Sequence, residues 1–171
     1  MHFSGTITQK VDGKGRVSIP ADFRRVLEAG DPEFSPESKR LRMRVVYGDD
    51  SRRCLEVYPI TQFDSLMKRI ALLPEGSDER EILELCYVSG SELIEVDGDG
   101  RTIFAQRFRD HIGLSRDGGE AVFAGALDTF RIWTPEEFEA ERARKLAAVK
   151  ARMTAGGSIR SLLPPAPTPA G

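Results

Sequence analysis

Histidine and cysteine are almost missing from this 171-residue chain, which holds two of each. With only His2 and His111, histidine-based metal sites and Ser-His-Asp triads have nearly no parts, and no Walker-type or Rossmann glycine fingerprint is present. The residue types therefore point to no catalytic residue, no metal and no cofactor. Cys54 and Cys86 have neither C-x-x-C spacing nor a histidine beside them, and their apolar surroundings make buried free thiols the expectation. A long apolar run is missing too. The longest, residues 121–127, has seven positions with Gly125 among them, against the ~20 needed to cross a bilayer. The first residues lack the basic and apolar regions of a signal peptide, so a cytoplasmic protein with no membrane partner is expected. Neither charge is in excess: Lys and Arg number 25, Asp and Glu 27, for a formal net charge of −2. That balance excludes a globally basic nucleic-acid binder and leaves room for a local basic patch.

What the chain does have is an internal repeat. At a constant offset of 85, Ser4, Gly5, Val11, Asp12, Gly13, Gly15, Arg16, Phe23 and Arg24 match Ser89, Gly90, Val96, Asp97, Gly98, Gly100, Arg101, Phe108 and Arg109. Nine ungapped identities in 22 positions compare with roughly one or two from average residue usage. A second correspondence, at offset 75, aligns Val57, Tyr58 and Phe63 with Ile132, Trp133 and Phe138. The first half thus carries about ten extra residues, and residues 30–38, with Pro32 and Pro36, have the composition of the loop that holds them.

The same elements are expected in each half. A strand over residues 6–11 leads into a turn at Asp12-Gly13-Lys14-Gly15, where glycines supply positive φ, and a short strand over 16–19 follows. Pro20 suits the first position of a helix with Phe23, Val26 and Leu27 on one face, and Gly30 suits its C′ position. Residues 43–47 and 54–58 read as a hairpin, and Phe63, Leu66, Met67 and Ile70 as the apolar face of a second helix. A linker helix begins at Asp78 as N-cap with Glu81 at N3. In the second half, strands over 120–124 and 130–133 precede a last helix opened by Thr134, Pro135 and Glu137. The expected organisation is a first module over residues 1–76, a linker helix over 77–88, a second module with the C-terminal helix over 89–154, and a disordered tail over 155–171. The tail has four prolines in its last eight residues.

Each half carries Asp-Gly-x-Gly-Arg between two strands: residues 12–16 and 97–101. At four residues apart across a glycine turn, Asp and Arg face each other over the hairpin base. One reading is a structural ion pair that pins two hairpins, with Gly13, Gly15, Asp97 and Gly100 shaping the turns. The other is a rigid turn that presents Lys14, Arg16 and nearby Lys10 to phosphates or base edges in a DNA groove.

The run Asp12-Gly13-Lys14-Gly15-Arg16-Val17-Ser18-Ile19-Pro20, with a second D-x-x-G-R after a linker helix, resembles the MraZ family of bacterial transcriptional regulators. The likeness extends over about residues 3–150 and includes Leu55-Glu56-Val57-Tyr58-Pro59 and Phe130-Arg131-Ile132-Trp133. The resemblance implies an α+β fold of two tandem AbrB/SpoVT-like swapped-hairpin modules with flanking helices, packed in a ring-like homo-oligomer. It further implies a nucleoid-associated regulator that binds repeated double-stranded DNA boxes at the promoter of the division and cell-wall gene cluster, including its own. The motif's DNA-contact role falls on Asp12 and Arg16, and on Asp97 and Arg101. A scaffolding oligomer without DNA readout is the rival.

Three departures set expectations for the structure. Phe104-Ala105 stand where Ile-Pro is expected, so the second helix lacks its proline start. The loop at residues 32–38 is extended. Residues 10–16 carry a net charge of +2, whereas residues 92–101 carry −3, so the four carboxylates there are expected to hold Arg101 in intramolecular pairs. Arg24 and Arg25 are placed on a solvated helix face, as is His111. Lys39, Arg40, Arg42 and Arg44 are read as surface charge. Phe3, Tyr58, Phe63, Trp133 and Phe138 are assigned to the core or a subunit interface rather than to base stacking.

Overall fold

A computed structural model of the chain describes residues 1–169; the last two residues of the expected tail, Ala170 and Gly171, lie outside it. The first repeat contributes β1 (Thr6–Asp12), β2 (Arg16–Ser18), α1 (Ala21–Ala29), β3 (Leu41–Val46), β4 (Leu55–Tyr58) and α2 (Ile60–Ala71). A short helix α3 (Asp78–Leu83) continues into a π-helical segment (Glu84–Ser89). The second repeat runs β5 (Ser91–Val96), β6 (Arg101–Ile103), α4 (Gln106–Ile112), β7 (Gly118–Ala126), β8 (Thr129–Trp133) and α5 (Pro135–Lys150). Residues 1–138 form one compact unit, and the described residues from 139 onwards form another. In the second unit, residues 154–169 are exposed and contain one 3-10 turn at Ile159–Leu162.

The two repeats interlock rather than sit side by side. Six strands form an antiparallel sheet in the order β1-β7-β8-β4-β3-β5, and β2 pairs with β6 in a separate ribbon. β1 lies on β7 of the other repeat, β5 lies on β3 of the other repeat, and β4 lies on β8. Every pairing is thus either repeated or mapped onto itself by exchanging the halves, which is a pseudo-two-fold axis. It passes between Glu56 and Arg131 in the sheet and between Val17 and Thr102 in the ribbon, the central pairs of their registers. Neither half could close its core alone, because the outer strand that covers each β-hairpin comes from the other half.

Alternation places Val11, Leu41, Met43, Val45, Phe123, Phe130 and Ile132 on the inner face, where all are buried. Phe3, Phe23 and Phe130 meet at centroid distances of 4.9–5.4 Å in tilted and edge-on geometries. In α1 the buried apolar pair is Phe23 and Leu27, and in α4 it is Phe108 and Ile112, each one helical turn apart. The missing proline has no geometric consequence. Ala105 adopts φ −54° and ψ 153° before α4, close to the −54° and 138° of Pro20 before α1.

Several local expectations shift. Pro20 is the residue before α1 rather than within it. Gly30 ends the helix at φ −98°, outside the left-handed region; its need for glycine is space, since a Cβ there would fall 2.5 Å from Pro59 Cβ. The linker helix is capped by Ser77, whose hydroxyl accepts from the Arg80 amide at 3.3 Å, not by Asp78. Cys54 is buried, but Cys86 is only half-buried. Phe3, Phe63 and Trp133 are buried as expected.

Candidate nucleic-acid interface

Both glycine turns are built alike. Gly15 and Gly100 donate their amides to the Asp12 and Asp97 carbonyls at 2.9 Å, with φ of +86° and +79°. The Asp12 carboxylate accepts the Lys14 and Arg16 amides, and Asp97 accepts those of Asp99 and Arg101, all at 2.9 Å. Aspartate at the first turn position therefore ties down two backbone N–H groups that a tight turn leaves unpaired.

The turns are joined through the β2–β6 ribbon. Ile19 donates to the Gly100 carbonyl at 2.8 Å, and Phe104 to the Gly15 carbonyl at 2.7 Å. Val17 and Thr102 point inward and are buried; Arg16, Ser18, Arg101 and Ile103 are exposed on the other face. Arg16 stands opposite Ile103, and Arg101 opposite Ser18. Two arginines 85 positions apart in the chain thereby share one outward face, with Lys14 on the first turn and Lys10 on β1, in register with Glu120 of β7.

The electrostatics differ from those read from the sequence. Arg16 is the paired arginine: its Nε donates to Asp12 Oδ2 at 2.5 Å. The Arg16 side-chain hydrogen bond, reinforced by the Arg16 and Lys14 amides, holds the Asp12 carboxyl below the usual aspartate range. Among the described residues Arg101 makes no ion pair. Of the four carboxylates expected to hold it, Glu92 pairs with Arg107 and Glu95 with Arg40, while Asp97 accepts the Arg101 amide rather than its guanidinium.

Further arginines support the turns from behind. Arg109 is buried; its Nε donates to the Phe104 carbonyl at 3.0 Å and its Nη1 to the Gly13 carbonyl at 3.1 Å. Arg24, its equivalent, covers the second turn so closely that a Cβ on Gly100 would collide with the guanidinium. Arg24 is therefore half-buried against the second turn rather than free on a solvated helix face. Arg42 is also no simple surface charge: it grips the buried Asp31 through Nη2 at 2.5 Å and through its own amide at 3.0 Å. Arg44 lies 5.1 Å above the Phe63 ring. His111, expected on a surface, has a side chain 11% exposed and an Nε2 without a partner. The identity of Arg24 and Arg109 in the repeat is the one sequence signal that marks this pair.

Among the described residues no His, Cys, Asp and Glu cluster is arranged to hold a metal ion, and no helix is long and apolar enough to cross a membrane. Interlocked hairpins with two glycine turns on one ribbon define the class: an α+β protein of tandem AbrB/SpoVT-like swapped-hairpin modules. The family model described as "MraZ protein, putative antitoxin-like" matches twice, over residues 2–84 and 88–155. A protein of Cereibacter sphaeroides (strain ATCC 17029 / ATH 2.4.9) named "Transcriptional regulator MraZ" is 41% identical over 165 residues, covering 94% of this chain and 95% of that protein. Proteins of the same name from Ruegeria sp. (strain TM1040) and Rhodospirillum rubrum are 44% and 35% identical, covering 80% and 84% of this chain and 80% and 86% of their own lengths. The chain belongs to the MraZ family. A transcription-regulator role comes with that family, and an enzymatic one does not.

Proposed function

We propose that this regulator acts by binding DNA in a sequence-specific manner, as a ring-like homo-oligomer on repeated boxes upstream of the division and cell-wall gene cluster, its own promoter included. The observation that carries this reading is the ribbon face. Arg16 and Arg101 project from two rigid turns joined by hydrogen bonds, with Lys14 and Lys10 beside the first. A guanidinium on a fixed turn suits bidentate contact with a guanine edge, and lysines suit phosphates. Asp12 and Asp97 shape the turns rather than touch DNA, together with Gly13, Gly15 and Gly100.

Oligomer formation supplies affinity that one small basic face lacks, because several linked faces meet repeated boxes at high effective concentration. The surface that supports it is the linker: α3 and the π-helical segment contain no buried residue, and Ile82, Leu85 and Val88 are 48–63% exposed. The site of action is the cytoplasm, at the nucleoid.

The test is fluorescence anisotropy with duplex DNA from upstream of this protein's own gene at several salt concentrations, beside light scattering of the free protein. Specific binding with a steep negative salt slope, about −0.9 per phosphate neutralised, by a species larger than a dimer is the expected result. An oligomer with no salt-dependent DNA binding leaves a scaffold as the better reading, and a monomer overturns the ring.

A further inference from the structure

The second turn lacks the cations of the first. At the repeat positions of Lys10 and Lys14 stand Glu95 and Asp99, and a carboxylate near DNA is repelled by the backbone. The extra loop of the first repeat is packed against this turn. Its base is secured by Asp31, whose buried carboxylate holds Arg42 and accepts the Glu33 amide at 3.0 Å. Its far end is closed by Ser35, whose Oγ accepts the Ser38 amide at 3.2 Å and whose carbonyl accepts the Lys39 amide at 3.0 Å.

That closure leaves Lys39 at φ +52°, in the left-handed region that L side chains rarely adopt. Its stem lies over the second turn: Lys39 Cδ would be 3.5 Å from a Cβ on Gly98. The next residue, Arg40, pairs with Glu95. Lys39, Arg40, Arg16 and Arg101 line a single open groove of about 700 Å³ with Glu95 and Asp97. Among the described residues Lys39 makes no ion pair.

We infer that the loop restores positive charge to the second turn, Arg40 cancelling the carboxylate at the repeat position of Lys10 and Lys39 bringing an unpaired cation over Gly98, so that Lys39 is a DNA-phosphate contact of the second turn. The inference rests on the DNA-binding reading above. It makes the loop part of the interface and makes both turns of each chain DNA-facing. A strained backbone at a residue with no structural partner for its charge fits a position kept for contact rather than for stability.

The experiment uses the full-length protein and its upstream duplex across a salt series. Lys39→Gln removes the charge. Lys39→Gly removes the charge and suits the observed φ. Lys68→Gln, at an exposed position of α2 outside the groove, makes the same charge change elsewhere. The expected result is a several-fold loss of affinity for both Lys39 variants, with the salt slope shallower by about 0.9 for each lysine engaged. Lys68→Gln leaves both unchanged, and Lys39→Gly melts no lower than the parent protein. Lys39→Gln binding like Lys68→Gln, while Arg16→Ala loses binding, overturns the inference and spares the DNA reading. An unaltered protein that binds no upstream DNA at any salt overturns both.

Discussion

Arg109, a residue of the second repeat, donates through Nη1 to the carbonyl of Gly13 in the first repeat's turn at 3.1 Å, across 96 positions of chain. The same guanidinium holds the Phe104 carbonyl, so one buried side chain joins the ribbon's end to the turn it feeds. Hydrogen bonds from a charged donor contribute about 1.5–3 kcal/mol. Arg109→Ala is expected to lower unfolding free energy by about that amount in urea denaturation, and Arg109→Lys to recover only part of it, because an ammonium cannot span both carbonyls in a fixed fork.

Gly15 and Gly100 occupy the same repeat position, yet alanine is expected to be tolerated unequally. Both have positive φ, which costs a side chain about 1 kcal/mol. At Gly15 the new Cβ would fall 2.2 Å from the Phe104 carbonyl oxygen, a backbone atom of the ribbon. At Gly100 it would meet Arg24's guanidinium, the end of a flexible side chain. Gly15→Ala is therefore expected to destabilise by about 3 kcal/mol or more, and Gly100→Ala by about 1 kcal/mol, in thermal and urea unfolding.

Acid should unfold the protein partly through Asp31. Burial works to raise its pKa, but the Arg42 side-chain hydrogen bond and the Glu33 and Arg42 amides overcome it, and the carboxyl ends below the ordinary value of 3.8. A depressed folded-state pKa gives stability that is complete above the unfolded value and is lost as pH falls through the folded one. Asp31→Asn is expected to cost about 1–3 kcal/mol at pH 7, between the surface and buried ion-pair ranges. It should also flatten the loss of stability below pH 4. An unchanged acid limb in the variant would assign that loss to other carboxylates.

Arg16→Ala and Arg101→Ala are both expected to weaken DNA binding, by ~1–3 kcal/mol for each guanidinium removed from a base edge, with the oligomer intact by light scattering. The charge pattern alone points to Arg16 as the dominant DNA-binding arginine. The pairing of Glu92 with Arg107 and of Glu95 with Arg40 takes away two of the four carboxylates behind that inequality, and Arg101 itself makes no ion pair among the described residues. Full affinity in Arg101→Ala would restore it.

The repeat, the turns and the helix faces are legible in the sequence because their causes are local. Glycine at positive φ, aspartate capping its own turn and apolar side chains one helical turn apart all act over a few residues. The linker-helix cap falls on Ser77 rather than Asp78, since neighbouring Ser and Asp compete for one role and only the backbone path chooses. His111 and Arg24 look solvated along the chain because the groups beside them, Asp50 and the Gly100 turn, lie far away in sequence.

From the residues alone came the two-fold repetition, the position of both Asp-Gly-x-Gly-Arg turns and the scarcity of catalytic parts, all matters of residue type and short spacing. Only the tertiary structure decided which charges remain available. Ion pairs such as Arg40 with Glu95 and Arg42 with Asp31 form wherever folding brings opposite charges together, whatever their separation along the chain. The interlocking of the halves places the first repeat's loop on the second repeat's turn, and there a net charge counted along a segment is not the charge that a ligand meets.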